Sequence, residues 1–322
     1  MALWHLPHID TELREVEQII RQAAGSRQRI LRDVGADLAA AGGKRLRPAL
    51  VLLGSAFGAK KDPEVLKIAA AVELLHMATL VHDDIIDDSP TRRGLPTAQA
   101  RFGKDVAVFA GDFLLSKALL LLAQARADNE MPELARAMVR ICEGEVGQFA
   151  ARFVFRSSLE YLRGVRGKTA ALFAISAAAG AKQNEADDKT VRALARYGLY
   201  LGMAFQIYDD LLDYAADSEL IGKPVGQDLL SGVYTLPLLL SLSKDEPALR
   251  ELVAGQAQAA ATKIIASVRE RGGIERAQRV LNGYVAKARR ALESLPPLPE
   301  RTSLFELPDR LFQQLALAKS AN

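Results

Sequence analysis

The sequence predicts an all-α protein. Apolar residues recur three or four positions apart along most of the 322 residues, which is the periodicity of helices with one buried face. Alanine and leucine, two strong helix formers, are abundant throughout. No segment alternates apolar and polar residues as a strand does. We therefore expect a bundle of ten or more helices around a central cavity.

The individual helices can be followed along the chain. Residues 9–38 have helical periodicity that is interrupted near Gly25. Pro48 and Pro63 each stand where a helix can begin, since proline is favoured in the first turn, and the second of these helices continues through Leu80. No Pro/Gly/Ser-rich linker divides the chain. We therefore predict that residues 1–322 form a single domain.

The composition excludes several classes of protein. The formal net charge is +3 and the basic residues are scattered, so nucleic acid is not an expected partner. Cys142 is the single cysteine, which excludes an intramolecular disulfide and argues against a zinc site. The most apolar segment, 106–125, is interrupted by Asp112 and Lys117, so we expect no transmembrane segment. With no secretory signal either, we expect a cytoplasmic protein.

A cluster of four aspartates follows an apolar segment in Asp83-Asp84-Ile85-Ile86-Asp87-Asp88. Residues four apart share a helix face, so Asp83 should lie over Asp87, and Asp84 over Asp88. Like charges at this spacing repel, and a bound cation would offset that repulsion. Carboxylate ligands favour a hard ion such as Mg²⁺.

The same pattern, D-D-x-x-D, returns in Asp209-Asp210-Leu211-Leu212-Asp213. One such cluster could be a solvated helix end, but two copies on apolar helices favour a shared function. Mg²⁺ usually binds one or two carboxylates together with substrate phosphates. Two acidic helices could therefore hold a diphosphate through bridging ions and neutralise its charge as it departs.

Basic residues that could bind phosphate accompany the aspartates. The segment Gly42-Gly43-Lys44-Arg45-Leu46-Arg47-Pro48 combines glycines, which permit a tight turn, with cations at the start of a helix. Arginine can bind phosphate through two hydrogen bonds, and lysine supplies a compact charge. Further basic residues in suitable places are Arg92, Arg93, Lys168 and Lys223. Taken singly, each could be a solvated surface residue.

The order of these segments resembles that of the trans-prenyl diphosphate synthases over residues 38–240. The segments that carry the resemblance are G-G-K-R-L-R-P, L-L-H-M-A-T-L-V-H-D-D-I-I-D-D-S-x-T-R-R-G, G-D-F-L-L, K-T-A, F-Q-I-Y-D-D-L-L-D and G-K-P-x-G-x-D-L. The resemblance implies the isoprenoid synthase fold and an enzyme that adds isopentenyl diphosphate to an allylic diphosphate. Within the family the sequence looks closest to synthases of quinone side chains, including the catalytic component of two-component hexaprenyl or heptaprenyl synthases.

The resemblance also implies roles for individual residues. Metal ligands would be the aspartates of the two clusters, Asp83, Asp84, Asp87, Asp209, Asp210 and Asp213, holding three Mg²⁺ ions against the allylic diphosphate. Isopentenyl diphosphate would be bound by Lys44, Arg47, His76 and Arg93, and the allylic diphosphate by Arg92, Lys168 and Lys223. Thr169 and Gln206 would lie near the reacting carbons. His82 has two interpretations, as a packing residue of the core or as a residue that supports the neighbouring aspartates, and both stay open. The expected assembly is a homodimer, or a heteromer with a small regulatory subunit.

Two features bear on the length of the product. Only Ile85 and Ile86 separate the aspartate pairs, whereas bacterial farnesyl diphosphate synthases have two more residues there. Short-chain members of the family place aromatic residues one turn before the first aspartate, where this chain has Ala78 and Thr79. We therefore expect a product of about C30 to C40, although Ala78 could equally be a packing residue. The alternatives are a geranylgeranyl diphosphate synthase, a terpene cyclase and a non-catalytic partner of a synthase.

Overall fold

The computed structural model describes residues 4, 6–40, 42–92, 94–125, 131–215, 226–242 and 247–313. Over these residues the all-α prediction is confirmed. The α-helices are α1 (Pro7–Ala23), α2 (Arg29–Ala40), α3 (Leu46–Ser55), α4 (Val65–Ile86), α5 (Ala98–Phe102), α6 (Lys104–Gln124), α7 (Met131–Ala150), α8 (Ser158–Val165), α9 (Ala171–Gln183), α10 (Asp188–Ala215), α11 (Gln227–Leu230), α12 (Leu236–Ser241), α13 (Pro247–Glu270), α14 (Gly273–Leu292) and α15 (Pro299–Leu311). A π-helical segment, Arg166–Ala170, joins α8 to α9.

The predicted helix positions agree with the first four helices. The interruption near Gly25 separates α1 from α2. Pro48 lies in the first turn of α3, and Pro63 lies two residues before the start of α4. One small element was not predicted: strands β1 (Thr91–Arg92) and β2 (Leu95–Pro96) form an antiparallel pair directly after α4. Gly94 permits the turn between these strands because its φ is 78°.

The chain divides into two compact units, each built from three segments. Unit 1 contains Met1–Ala135, Ile175–Ala195 and Ser294–Leu304, and unit 2 contains Arg136–Ala174, Arg196–Glu293 and Phe305–Asn322. The first aspartate cluster belongs to unit 1 and the second to unit 2. A single domain around a central cavity stays a prediction.

Unit 1 is built on α4, which packs against α1, α3 and α6. Most of α4 is buried, including Leu74 and Leu75, so its aspartates emerge from the end of a core helix. Helices α3 and α9 approach each other closely through glycine. A Cβ built on Gly180 would lie 1.9 Å from the carbonyl O of Val51, and one on Gly54 would lie 2.4 Å from the carbonyl O of Ala177. Only glycine permits this separation between the two backbones.

Unit 2 has its own apolar core around the carboxyl half of α10. Tyr208, Leu211 and Tyr214 are buried there and alternate along the helix with the second aspartate cluster. The loop that follows α7 is fixed by Phe155, whose ring stacks on Tyr234 with centroids 4.7 Å apart. Apolar packing thus sets the rotation of α10 and the direction in which each aspartate points.

Among the described residues, two helices, α4 and α6, are long and apolar enough to span a membrane by length and composition alone. Asp112 and Lys117 therefore do not by themselves exclude α6, but core helices of globular proteins have the same length and composition. The apolar part of α4 is 67% buried in the fold, as expected for a core helix, whereas that of α6 is 39% buried. Helix α6 exposes Phe109 and Leu120.

The close approach of α3 and α9 predicts a severe effect of Gly180→Ala. The added methyl group would overlap the carbonyl O of Val51, and two backbones must then separate within a packed core. We expect the free energy of unfolding to fall by about 3 kcal/mol, the upper part of the range for overpacked cores. Urea unfolding followed by circular dichroism measures this change.

Gly283→Ala is the matched control, because Gly283 is an exposed glycine within α14 and an added Cβ meets no atom within 4 Å. This variant should be stabilised by about 0.5–1 kcal/mol, since alanine is the better helix former. Equal effects of the two substitutions would show that helix propensity, and not the α3–α9 approach, determines the result at Gly180.

Candidate active site

The first aspartate cluster lies at the carboxyl end of α4. The backbone N–H of Asp87 still donates to the carbonyl O of Asp83 at 2.9 Å, so these two residues keep the predicted helical relation. The prediction that Asp84 lies over Asp88 is wrong. The helix ends at Ile86, and Asp88 has a left-handed backbone with φ of 50°. Its carboxylate lies 2.9 Å from Nζ of Lys104.

Asp84 is the buried member of this cluster. Its side chain is 6% exposed, and its Oδ1 accepts a hydrogen bond from Nε of Arg92 at 2.8 Å. Burial raises the pKa of Asp84, and the charge of Arg92 opposes this rise. Arg92 belongs to β1, so the unpredicted strand pair places this cation against the acid. Gln99 donates to the carbonyl O of Asp84 at 2.7 Å and so fixes the end of α4.

Two of the predicted binding residues of unit 1, His76 and Arg92, line one cavity. Its lining residues are Leu38, Gly42, Arg45, Glu73, His76, Met77, Leu80 and Arg92. Lys44 is exposed and Arg47 is half-buried in the adjoining segment. Burial lowers the pKa of Arg47 to about 10, so the guanidinium keeps its charge at neutral pH. The structure thus brings His76 and Arg92 to one place, although they were predicted to bind different diphosphates. Arg93 lies outside the described residues.

Ala78, Thr79 and His82 occupy the same helix. Ala78 is buried, and Thr79 is half-buried with its Oγ1 donating to the carbonyl O of His76 at 2.8 Å. Neither residue is among those that line the cavity beside His76. A Cβ on Gly111 would lie 2.2 Å from Nε2 of His82, so this imidazole fills the space left by a glycine on α6. His82 therefore packs against α6, and its side chain is 34% exposed with Nε2 3.5 Å from Oδ1 of Asp112.

In unit 2, the three aspartates of the second cluster differ in their exposure. Asp209 is exposed, Asp213 is half-buried and Asp210 is buried. The hydroxyl of Tyr161 donates to Oδ2 of Asp210, and Nε2 of Gln206 donates to Oδ1 at 2.9 Å. Burial raises the pKa of Asp210 to about 7, although both hydrogen bonds oppose the rise.

Asp213 has a different set of contacts. Its carboxylate accepts from the backbone N–H groups of Gly226, Gln227 and Asp228 at 3.0, 3.1 and 3.2 Å. These contacts fix the segment that begins α11 and bring a fourth acid to the cluster. Burial and the charges of Asp210 and Asp213 raise the pKa of Asp228 well above its usual range. Sequence reasoning included Asp228 in a motif but gave it no role, because no local spacing links it to α10. Lys223 lies outside the described residues.

The predicted residues Lys168 and Thr169 lie in the π-helical segment. Such segments are rare and occur often at functional sites. Nζ of Lys168 lies 2.8 Å from the carboxylate of Glu145 on α7. Oγ1 of Thr169 donates to Oε1 of Gln206 at 2.8 Å. Gln206 is therefore bonded at both ends of its amide, to Thr169 and to Asp210, so its orientation is determined. Glu145 was not predicted as a site residue.

The donor sets fit a hard divalent cation that shares its ligands with a substrate. Among the described residues, no three acidic, histidine or cysteine side chains converge into a ready-made metal site. Mg²⁺ does not need a ready-made site, because it keeps several waters and takes one or two carboxylates together with phosphate oxygens. Each cluster offers carboxylate oxygens as ligands. A basic side chain acts on each cluster, since Arg92 pairs with Asp84 and the charge of Lys168 acts on Asp228.

The comparisons with known proteins agree with this chemistry. The family model for polyprenyl synthetase matches residues 28–270. The "Heptaprenyl diphosphate synthase component 2" of Bacillus subtilis (strain 168) is 38% identical over 301 residues, covering 92% of this chain and 85% of the relative. The "Geranylgeranyl diphosphate synthase" of Methanosarcina mazei is 36% identical over 286 residues, covering 85% and 86%. A crystal structure of a polyprenyl synthase from Caulobacter crescentus CB15, complexed with calcium and isoprenyl diphosphate, has a TM-score of 0.89 and 34% identity, covering 95% and 96%.

These findings identify an enzyme, a prenyltransferase of the trans-prenyl diphosphate synthase class. The chain belongs to the polyprenyl synthetase family.

The burial of Asp210 predicts a pH dependence of stability. Asp210 holds its proton more tightly in the folded chain, where its pKa is about 7, than in the unfolded chain, where it is 3.8. The resulting stabilisation is complete below the unfolded value and is lost as pH rises through about 7. Asp210→Asn lacks this proton. Between pH 4.5 and 7, its unfolding free energy relative to wild type should therefore rise, by up to about 1.4 kcal/mol per pH unit. Urea unfolding in a metal chelator measures the difference.

Asp187→Asn supplies a control of opposite sign. The carboxylate of Asp187 accepts from the backbone N–H of Thr190 at 2.8 Å, and this bond lowers its pKa. A lowered folded pKa stabilises the protein above the unfolded value, and that stabilisation is lost as pH falls. Relative to wild type, this variant should lose stability as pH rises. A pH-independent difference for Asp210→Asn would contradict the burial of a protonated Asp210.

Proposed function

We propose that this chain condenses isopentenyl diphosphate with an allylic diphosphate, in the presence of Mg²⁺, to make an all-trans polyprenyl diphosphate of about C30 to C40 for quinone side chains. The observation that carries the proposal is the repetition of one arrangement. Each D-D-x-x-D cluster lies on a helix with an apolar, buried face. Arg92 pairs with Asp84 of the first cluster, and the charge of Lys168 acts on Asp228, whose backbone N–H donates to Asp213 of the second cluster. Such a pair of sites suits a diphosphate leaving group.

The reaction breaks the C–O bond between the allylic carbon and its diphosphate. The double bond of isopentenyl diphosphate then forms a new C–C bond to that carbon, and one proton is lost, with the departing diphosphate as its acceptor. Lys168 and Arg92 bind negative phosphate oxygens, whereas Lys44, Arg47 and His76 bind the second diphosphate. Gln206 and Thr169, whose mutual hydrogen bond fixes the amide, orient the reacting groups. When bound, Mg²⁺ neutralises the charge that develops on the leaving diphosphate.

In each cluster the more exposed acids would bind divalent ions, Asp83 and Asp87 in the first and Asp209 in the second, with Asp84, Asp210 and Asp213 completing the two ligand sets. The calcium and isoprenyl diphosphate in the Caulobacter crescentus structure support a divalent ion with this substrate class. We place three Mg²⁺ ions with the allylic diphosphate, as the family resemblance implies.

In this proposal the product length depends on Ala78 and Thr79, the residues about one turn before Asp83 that form the floor of the product site. Small residues at positions 78 and 79 leave room for a growing chain, and the name of the Bacillus subtilis relative supports a heptaprenyl product. Geranylgeranyl diphosphate synthesis is the second candidate, and the name of the Methanosarcina mazei relative favours it.

The assembly is a homodimer in this proposal. Helix α6 exposes a set of large apolar residues, Val108, Phe109, Leu119 and Leu120, and exposed patches of this kind occur at protein interfaces. A small regulatory subunit is the alternative, which the words "component 2" in the relative's name support. The proposed location is the cytoplasm, where the apolar face of α6 is covered by a partner subunit.

Elongation by the purified chain tests the function. Without any second subunit, the wild type should form labelled polyprenyl products when it is incubated with Mg²⁺, labelled isopentenyl diphosphate and a series of allylic primers. Asp83→Ala and Asp209→Ala should each lower kcat by at least about 1000-fold, because electrostatic stabilisation of the leaving group is a large part of catalysis. Product formation is followed by thin-layer chromatography after dephosphorylation.

Asp88→Ala is the matched control, since Asp88 lies beyond α4 and pairs with Lys104. Its kcat should stay within about 3-fold of the wild type, because exposed ion pairs contribute little. Near-normal activity of Asp83→Ala and Asp209→Ala would refute the metal assignment. Activity that appears only after a second subunit is added would favour the heteromer.

Ala78→Phe tests the floor of the product site. If Ala78 faces the growing chain, an aromatic ring about one turn (about 5.4 Å) below Asp83 should shorten the product to about C20 or less. Ala70→Phe is the control, because Ala70 is equally buried on α4. Overpacking there should lower the melting temperature without changing the product length. An unchanged product series in Ala78→Phe, with a lowered melting temperature, would make Ala78 a packing residue.

A further inference from the structure

Arg45 differs from the other cations of its segment. It directly precedes α3, between Lys44, which is exposed, and Arg47, which is half-buried. Arg45 itself is only 9% exposed. A buried charge is unfavourable unless its donors find acceptors within the protein. The contacts of Arg45 therefore indicate what its side chain does.

The guanidinium of Arg45 contacts three helices of unit 1. Nη1 donates to Oε1 of Glu73 on α4 at 2.8 Å, and Nη2 donates to the carbonyl O of Ala39 on α2 at 3.0 Å. Nε lies 3.5 Å from Oε1 of Glu17 on α1. Only arginine has a planar fork of donors that can reach acceptors in such different directions. Arg45 therefore fastens its segment to α1, α2 and α4.

The backbone at Arg45 is also unusual. Its φ is 44°, in the left-handed region that is unfavourable for a residue with a Cβ. Gly42 and Gly43 precede it with φ of 63° and 148°. An unfavourable conformation persists where surrounding contacts over-determine it. The side-chain contacts of Arg45 supply that constraint, so the directions of the neighbouring residues Lys44 and Arg47 depend on them.

Glu73 connects this constraint to the cavity. It is 5% exposed and lies one turn before His76 on α4. Glu73, Arg45 and His76 line the same cavity, so the ion pair forms part of its wall. The carboxylate of Glu73 in this wall repels a diphosphate. Its ion pair with Arg45 is the favourable interaction that offsets the cost of burying this carboxylate.

We propose that Arg45 and Glu73 are a positioning pair. They set the backbone of residues 42–47 so that Lys44 and Arg47 meet the diphosphate of isopentenyl diphosphate, and they do not bind it themselves. The donors of Arg45 point to protein acceptors on three helices, which leaves the substrate to the flanking cations. The proposal rests on the proposed function.

The double variant Arg45→Met/Glu73→Leu tests it. One positive and one negative charge are removed together, so the net charge beside the cavity is unchanged. Apolar side chains of similar volume replace the ion pair without leaving a buried charge, so the variant should fold with a melting temperature close to that of the wild type. The KM for isopentenyl diphosphate should rise about 10-fold, while the KM for the allylic primer should stay within about 2-fold.

Arg45→Lys separates a role of the guanidinium geometry from a role of the charge alone. Lysine keeps the positive charge but cannot reach three helices at once. A positioning role therefore predicts a raised KM for isopentenyl diphosphate in this variant, whereas a role through charge alone would keep the KM near the wild-type value. Arg192→Met is the control for the loss of an arginine, because Arg192 forms an exposed ion pair with Asp188 in α10. Its kinetic constants should equal those of the wild type.

A wild-type KM for isopentenyl diphosphate in the folded double variant would overturn the proposal and leave the pair a purely structural role. A wild-type KM in Arg45→Lys would overturn it as well. If the double variant does not fold, Arg45→Lys decides, since it preserves the charge pair. A wild type that elongates no primer would remove the proposed function itself, and this result is seen before any variant is compared.

Discussion

Burial of negative charge is the constraint on which both acidic clusters depend. A carboxylate removed from water needs a cation or hydrogen-bond donors close by. Asp84 has Arg92 as its partner, and Asp210 has Tyr161 and Gln206. Arg92 and Tyr161 come from other elements of the same unit, whereas Gln206 lies one turn before Asp210 on α10. The apolar packing of α4 and α10 therefore has to place these elements correctly before the acids can be buried at all.

The two clusters divide their acids in the same way. In each D-D-x-x-D sequence the second aspartate, Asp84 or Asp210, is buried and hydrogen-bonded by side chains. The first aspartate, Asp83 or Asp209, is more exposed. Adjacent residues on a helix point about 100° apart, so burial of one face leaves its neighbour towards the surface. Helix rotation, set by the core, thus decides which acids are exposed and which are hydrogen-bonded by other side chains.

The basic residues show a comparable division. Lys168 and Arg92 each lie beside an acid of another element, Glu145 or Asp84, which limits the conformations of two long side chains. In the segment before α3, the buried Arg45 donates to Glu73 and to the carbonyl O of Ala39, whereas Lys44 is exposed. The side chain of Arg45 is 9% exposed, against 35% for Arg92 and 26% for Lys168, so it is the least accessible of these three cations. The burial of each cation therefore separates its structural from its binding contribution.

Periodicity and spacing in the sequence by themselves determined the all-α class, the order of the first four helices and the two acidic clusters, because these are local properties with fixed repeats. The relation of Asp83 to Asp87 was likewise predictable from helix geometry. Only the tertiary structure decided that α4 ends before Asp88, that Lys168 lies in a π-helical segment, and that Glu73, Glu145 and Asp228 join the predicted residues. Contacts between distant segments depend on how helices pack, and packing leaves no fixed spacing in the sequence.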